Sequence, residues 1–197
     1  MTLGHLKRAP KIVRNALRDL RYGALLGGTT RTKHKQLGAF DTANSDYDDL
    51  PLLFAAAAVT PADVLVDVGC GKGRVLNWLL GEFPANRIYG IEIDQEVAMR
   101  TAKRLRPYSQ VSILCGDATT LLPADGTVFY LFNPFDGSMV ARFIASFLAA
   151  DGGPKRRIVY YNCKFVELFR GDARFLVEEI ELPGSHRSAL IRLRAAA

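Results

Sequence analysis

Apolar runs long enough to cross a bilayer are missing from this 197-residue sequence. A spanning helix needs about 20 apolar residues, and the longest run here is Leu52-Leu53-Phe54-Ala55-Ala56-Ala57-Ala58-Val59. Cysteine is scarce: Cys70, Cys115 and Cys163 are odd in number and scattered. That argues against a disulfide framework and for a reducing compartment, so the expected location is cytoplasmic. The three histidines have no paired spacing, which removes a metal site from consideration. Residues 1–8 lack the apolar core of a signal peptide. The phosphate-gripping pattern G-x-x-x-x-G-K-[ST] is absent as well. Acid is nearly absent from residues 1–38, where Lys7, Arg8, Lys11, Arg14, Arg18, Arg21, Arg31, Lys33 and Lys35 face Asp19 alone. That stretch carries +8, so the remainder carries −2 within the overall +6.

What is present is a glycine loop between two apolar segments. Val64-Leu65-Val66 is a β-branched, apolar run that predicts a buried parallel strand. Asp67-Val68-Gly69-Cys70-Gly71-Lys72-Gly73-Arg74 follows, and Val75-Leu76-Asn77-Trp78-Leu79-Leu80 is apolar at helical spacing. The glycines therefore occupy a strand–loop–helix turn, where backbone can approach a ligand closely. The helix start behind it offers unpaired N–H groups. A dinucleotide fingerprint, G-x-G-x-x-G, would need glycine where Arg74 stands. Asp67 at the mouth of the loop would oppose a diphosphate and would suit an ammonium group. Cys70, inside the loop, reads as a small residue chosen for close packing.

Periodicity and turn signals predict strands at 64–68, 87–92, 110–114, 127–132, 157–161, 174–181 and 187–194. Helices are expected at 52–59, 73–82, 95–106, 137–149 and 164–170. The fold class is α/β: a doubly wound, seven-stranded, mostly parallel sheet. Only Leu182-Pro183-Gly184-Ser185 separates the last two strands, so they form an antiparallel C-terminal hairpin. Ligands in such sheets bind beyond the carboxyl ends of the strands, at the switch point. The chemically distinctive residues fall there: Asp67, then Glu92 with Asp94, then Asp117-Ala118, then Asn133-Pro134-Phe135. Asp94 is the expected N-cap of the helix that follows it.

The motif Asp67-x-Gly69-x-Gly71-x-Gly73, with these strand ends in order, resembles the class I S-adenosylmethionine (SAM)-dependent methyltransferases over roughly residues 45–195. The resemblance implies SAM as cofactor and S-adenosylhomocysteine as product. It implies that Asp67 lies near the methionine ammonium and that Gly69, Gly71 and Gly73 let the cofactor lie close. Arg74 or Lys72 would pair with the methionine carboxylate, although Lys72 also reads as a solvated loop charge. Glu92 would take the ribose hydroxyls, Asp117 the adenine amino group, and the Ala118 N–H a ring nitrogen. Asn133-Pro134-Phe135 is similar to the [DN]-P-P-[YF] motif of amino-directed members, one proline short. Asn133 would then accept hydrogen bonds from a target amine, which favours nitrogen as the methylated atom. Asp136 and His186 are the residues that could deprotonate a hydroxyl acceptor. The expected function is SAM-dependent methyl transfer to an unidentified acceptor: protein, nucleic acid or small molecule. The alternative is a catalytically silent or partner-activated SAM-binding subunit.

Two domains of unequal weight are expected: a basic helical N-terminal extension with its loop, 1–44, and the SAM-binding domain, 45–197. Leu6, Val13, Leu17 and Leu20 fall at helical spacing beside a stripe of Lys7, Lys11, Arg14, Arg18 and Arg21, giving an amphipathic helix over about 5–21. Such a helix suits nucleic acid, an anionic membrane or a partner, or packs its leucines on the domain and solvates its arginines. Tyr47, in the segment before the glycine loop, is the candidate lid or substrate contact. Equally, it could anchor that segment to the core.

Overall fold

The computed structural model describes residues 3–28, 44–150, 155–184 and 186–194, with residues 3–10 described by backbone alone. Arg31, Lys33 and Lys35 lie outside the described residues. Helix α1 spans Leu3–Leu20 and α2 spans Leu50–Ala57. Then β1 (Val64–Val68), α3 (Arg74–Glu82), β2 (Arg87–Glu92), α4 (Gln95–Leu105), β3 (Val111–Cys115) and β4 (Val128–Phe132) follow in turn. The chain ends with α5 (Gly137–Ala149), β5 (Arg157–Tyr161), α6 (Glu167–Arg170), β6 (Phe175–Ile180) and β7 (Ser188–Leu193).

The seven strands form one sheet in the order β3-β2-β1-β4-β5-β7-β6. β1 pairs in parallel with β2 on one side and β4 on the other. The chain reverses its direction of travel across the sheet between these neighbours, which makes the ends of β1 and β4 the switch point. β7 enters antiparallel between β5 and β6, completing the C-terminal hairpin. Because side chains alternate along a strand, each strand feeds two cores. Val66, Val68, Phe129, Leu131, Ile158 and Tyr160 pack with α5 and α6. Leu65, Ile88, Val128, Tyr130 and Val159 pack on the opposite face with α2 and α3.

Helix ends follow local chemistry. Asp94 caps α4 as expected, its carboxylate accepting from Glu96 N and Val97 N. Asp136 caps α5 by accepting from Met139 N. Helix α2 begins two residues earlier than its apolar run, with Pro51 in the first turn, where the missing N–H costs nothing. Helix α6 is a single turn rather than the seven residues expected, since residues 164–166 form a turn after Asn162, whose φ is +50°.

The extension departs most from expectation. Helix α1 forms, yet it meets the domain through its polar side. Lys11 pairs with Asp46, and Arg14 and Arg18 pair with Asp48. Ile12, Val13, Leu17 and Leu20 are each more than half exposed. The reason lies in three carboxylates. Asp46 and Asp48 sit where the helix docks, and Asp19 on the helix itself is buried with only 1% exposure. Charged partners therefore draw in the polar side.

Candidate cofactor site

Beyond the ends of β1, β2, β3 and β4 lies a cavity of about 870 Å³, open in part to solvent. Asp67, Glu92 and Asp117 line it from three successive strand ends, with Ala118 beside Asp117 and Asn133 from the end of β4. Four separate sequence motifs therefore converge on one space.

The loop after β1 is hung on β2: the N–H groups of Gly69 and Cys70 both donate to the Ile91 carbonyl at 2.9 Å. Gly69 has φ +76°, and a Cβ there would stand 3.0 Å from the Pro134 Cβ. That left-handed turn and close wall both require glycine. Gly73, at φ +82°, opens α3, and a Cβ there would come within 2.9 Å of Thr101. Gly71 and Gly73 do not line the cavity. Gly71 instead donates its N–H to Glu92 Oε2 at 2.8 Å, tying the loop to the second acid.

Asp67 is 3% exposed, and its Oδ2 has no hydrogen-bond partner among the described residues. Burial, with the negative charge of Glu92 nearby, pushes its carboxyl up to about 8. An unpartnered buried carboxylate oxygen costs free energy unless a donor arrives. A cationic ammonium is such a donor. Glu92 is 6% exposed and burial raises its pKa too. Its oxygens accept from Gly71 N and Asp94 N, one bond each, and a carboxylate has room for more. Asp117 accepts from Thr119 N at 2.8 Å and pairs with Arg142 at 3.2 Å. This set of acceptors is compatible with SAM, whose ammonium, ribose hydroxyls and adenine amino group are all hydrogen-bond donors.

Three expected contacts take other roles. Arg74 reaches the cavity wall, but its guanidinium grips Asp19 on α1, Nε to Oδ1 at 3.1 Å and Nη2 to Oδ2 at 2.6 Å. Lys72 donates to the carbonyls of Gly27 and Gly28 at 2.9 Å and does not line the cavity. Tyr47 is not brought to the cavity. It is 3% exposed, it donates its hydroxyl to Asp19 Oδ1 at 2.8 Å, and its ring lies beneath the Arg18 and Arg74 guanidiniums. Tyr47 is thus an anchor, because the buried Asp19 carboxylate draws its hydroxyl away from the lid position.

Asn133 is 7% exposed, holds φ +41°, and accepts from the Tyr160 hydroxyl at 3.3 Å. Phe135 lines the cavity and packs toward Phe143, with ring centroids 6.2 Å apart. Sequence reasoning missed Asn44, Ser45, Tyr130 and Phe132, which complete the wall nearest the extension. Ser45 and Tyr130 join hydroxyls at 2.7 Å. A tyrosine inside an apolar buried strand was the available signal, since its hydroxyl must find a partner. His186 stands behind Phe132, ring centroids 6.0 Å apart, and does not line the cavity. Among the described residues no cluster of His, Cys, Asp and Glu could hold a metal, and no helix is long and apolar enough to cross a membrane.

Comparison with known proteins agrees with this geometry. A methyltransferase-domain family model matches residues 65–147. No curated protein sequence matches the chain. Among solved structures, an RNA methyltransferase from Salinibacter ruber with S-adenosyl-L-homocysteine superposes at TM-score 0.62 and 19% identity, over 79% of this chain and 96% of that one. A candidate O-methyltransferase from Klebsiella pneumoniae gives TM-score 0.64 at 16% identity, over 95% of this chain and 91% of that one. The mitomycin 7-O-methyltransferase gives TM-score 0.60 at 18% identity, over 76% of this chain and 55% of that one, so this chain spans little more than half of it. At such identities the likenesses establish the fold. Residues 65–147 thus match a methyltransferase domain, and the fold around them is that of the class I SAM-dependent methyltransferases.

Proposed function

We propose that the chain transfers a methyl group from SAM to a nitrogen of its acceptor. The observation that carries the reading is the unpartnered Asp67 oxygen buried in a cavity that Glu92 and Asp117 also line. When bound, SAM supplies an activated methyl on a sulfonium. The chain's own task is then placement, which alone lowers such a barrier substantially. Asp67 would hold the ammonium, Glu92 the ribose hydroxyls, and Asp117 with the Ala118 N–H the adenine. Gly69 keeps the wall close by having no side chain.

Nitrogen is favoured by Asn133. Its side-chain oxygen faces one long hydrogen bond, from Tyr160, and keeps acceptor capacity for an amine N–H. A neutral amine brings its own lone pair, and among the described residues no imidazole lines the cavity to activate a hydroxyl.

The test uses purified full-length protein, methyl-labelled SAM and a host-cell extract. Mass-spectrometric fragmentation of the labelled product is expected to place the methyl on nitrogen, whether the acceptor is macromolecular or small. A methyl found on oxygen, sulfur or carbon would overturn nitrogen. SAM binding in calorimetry without any transferred label would instead favour a silent or partner-activated subunit. Asp67→Ala and Glu92→Ala should each weaken SAM binding by at least about tenfold, roughly 1.4 kcal/mol. Unchanged affinity in both would overturn the site.

A further inference from the structure

Helix α1 has a face that the described residues leave uncovered. Ile12, Val13, Leu17 and Leu20 recur at helical spacing, and all are more than half exposed, as is Leu25 just beyond the helix. Scattered apolar residues on a surface need no explanation, but a contiguous stripe on one helix does. Helix and following turn contain six basic residues, Lys7, Arg8, Lys11, Arg14, Arg18 and Arg21. Among the described side chains, Lys11, Arg14 and Arg18 pair with Asp46 and Asp48. The single acid of the helix, Asp19, is already taken by Arg74. The apolar stripe therefore stands in an excess of positive charge. Arg14 and Arg21 flank it at helical spacing from Leu17, where long basic stems can lie along an apolar boundary.

We propose that α1 is an interfacial helix that lays Ile12, Val13, Leu17 and Leu20 onto an anionic lipid surface. Basic residues around an exposed apolar stripe, with low overall hydrophobicity, are what such a surface selects. A second copy of the chain is a poorer occupant, since pairing two such helices would bring like charges together. Nucleic acid is poorer too. Three of the basic side chains are committed to carboxylates, and an apolar stripe has no counterpart on a phosphate backbone. The stripe and the cavity share one connection: α1 carries Asp19, whose ion-pair partner Arg74 lines the cavity wall.

The experiment is co-sedimentation of the full chain with vesicles of phosphatidylcholine containing one part in four of phosphatidylglycerol, and with pure phosphatidylcholine vesicles. The full chain should sediment with the anionic vesicles, weakly or not at all with neutral ones, and less as salt rises. The double variant Val13→Glu/Leu17→Glu should lose binding at least about tenfold. Both positions are exposed, so the fold should survive. Met99→Glu, at an exposed apolar position on α4, should sediment like the parent. No sedimentation, or equal sedimentation of the double variant, overturns the proposal. So does a parent that elutes as a dimer which the double variant converts to monomer, because the stripe would then be a self-contact. So does binding to RNA that outcompetes the anionic vesicles. SAM affinity, measured on the same preparations, should be the same in the parent and the double variant. Absence of SAM binding in the parent would sink the proposed function and leave the lipid result standing.

Discussion

Asp67 and Glu92 are held in a state that favours ligand over fold. Burial and mutual repulsion raise the Asp67 carboxyl from 3.8 to about 8. Between those values the folded chain keeps a proton that the unfolded chain has released. Stability therefore falls as pH rises through that window, and the full penalty is present above about pH 8. Below the unfolded value both states are protonated and the penalty vanishes. Asn has nearly the same shape and no charge. Asp67→Asn should thus unfold at a higher temperature than the parent at pH 8, with the gap closing toward pH 4, while SAM affinity drops at least about tenfold. Thermal scans across pH, paired with calorimetry at pH 8, would check both halves. A gap that does not change with pH would show that Asp67 is not buried as a charge. Residue chemistry also decides which cavity-lining residues the sequence made visible. Asp67, Glu92, Asp117 and Asn133 were legible because an acid or amide ending an apolar strand has few structural uses. The contacts of Tyr47 and Arg74 were not, because they depend on Asp19, far away in sequence and buried only by tertiary packing.

At the scale of elements, the strands were readable to within a residue or two since buried parallel strands are apolar runs stopped by glycine, acid or proline. Five of the seven, β1 to β5, run 64–68, 87–92, 111–115, 128–132 and 157–161. Which side α1 turns inward was not readable. An amphipathic pattern says that a helix has two faces; it does not say which one finds a partner. The partners, Asp46 and Asp48, sit in a segment whose sequence reads only as polar and turn-rich. Asp19 was the one available signal, as the lone acid among nine basic residues in 1–38. It accepts from Arg74 twice, from the Tyr47 hydroxyl, and from the Leu26 N–H at 3.2 Å. Asp19→Ala would strand the largely buried Arg74 guanidinium. A loss of about 3 kcal/mol is expected, read as a lower urea midpoint. Trypsin should then reach Lys11, Arg14 and Arg18 sooner than in the parent. Unchanged cleavage would mean that α1 is held by its surface ion pairs alone, which is not expected given how little such pairs contribute.

At the scale of the whole molecule, the proposed division into an extension, 1–44, and a SAM-binding domain, 45–197, is crossed by many bonds. Lys72 holds the Gly27 and Gly28 carbonyls, Arg104 donates to the Tyr22 carbonyl at 2.9 Å, and Arg74 donates to the Asp19 carboxylate at 2.6 Å. Tyr22 also packs on Tyr108, ring centroids 5.7 Å apart. Lys72 belongs to the glycine loop, and Arg104 also donates to the Lys72 carbonyl at 2.7 Å. The extension therefore braces the loop that the cofactor must meet, while the sheet and both its cores lie within the remainder. Removing residues 1–28 separates these two contributions. The shortened chain should keep its sheet, seen as an unchanged strand signal in far-ultraviolet circular dichroism. It should melt about 10 °C lower, the shift that a loss of about 3 kcal/mol produces in a chain of this size. SAM affinity should fall by at least about threefold, because Arg74, Lys72 and Tyr47 all lose partners around the loop. An Asp19→Ala variant that matches the truncation in both melting and affinity would locate the whole bracing effect in one carboxylate. A truncation that binds SAM as tightly as the full chain would mean the loop is set by the sheet and Glu92 alone, leaving the extension to its outward face.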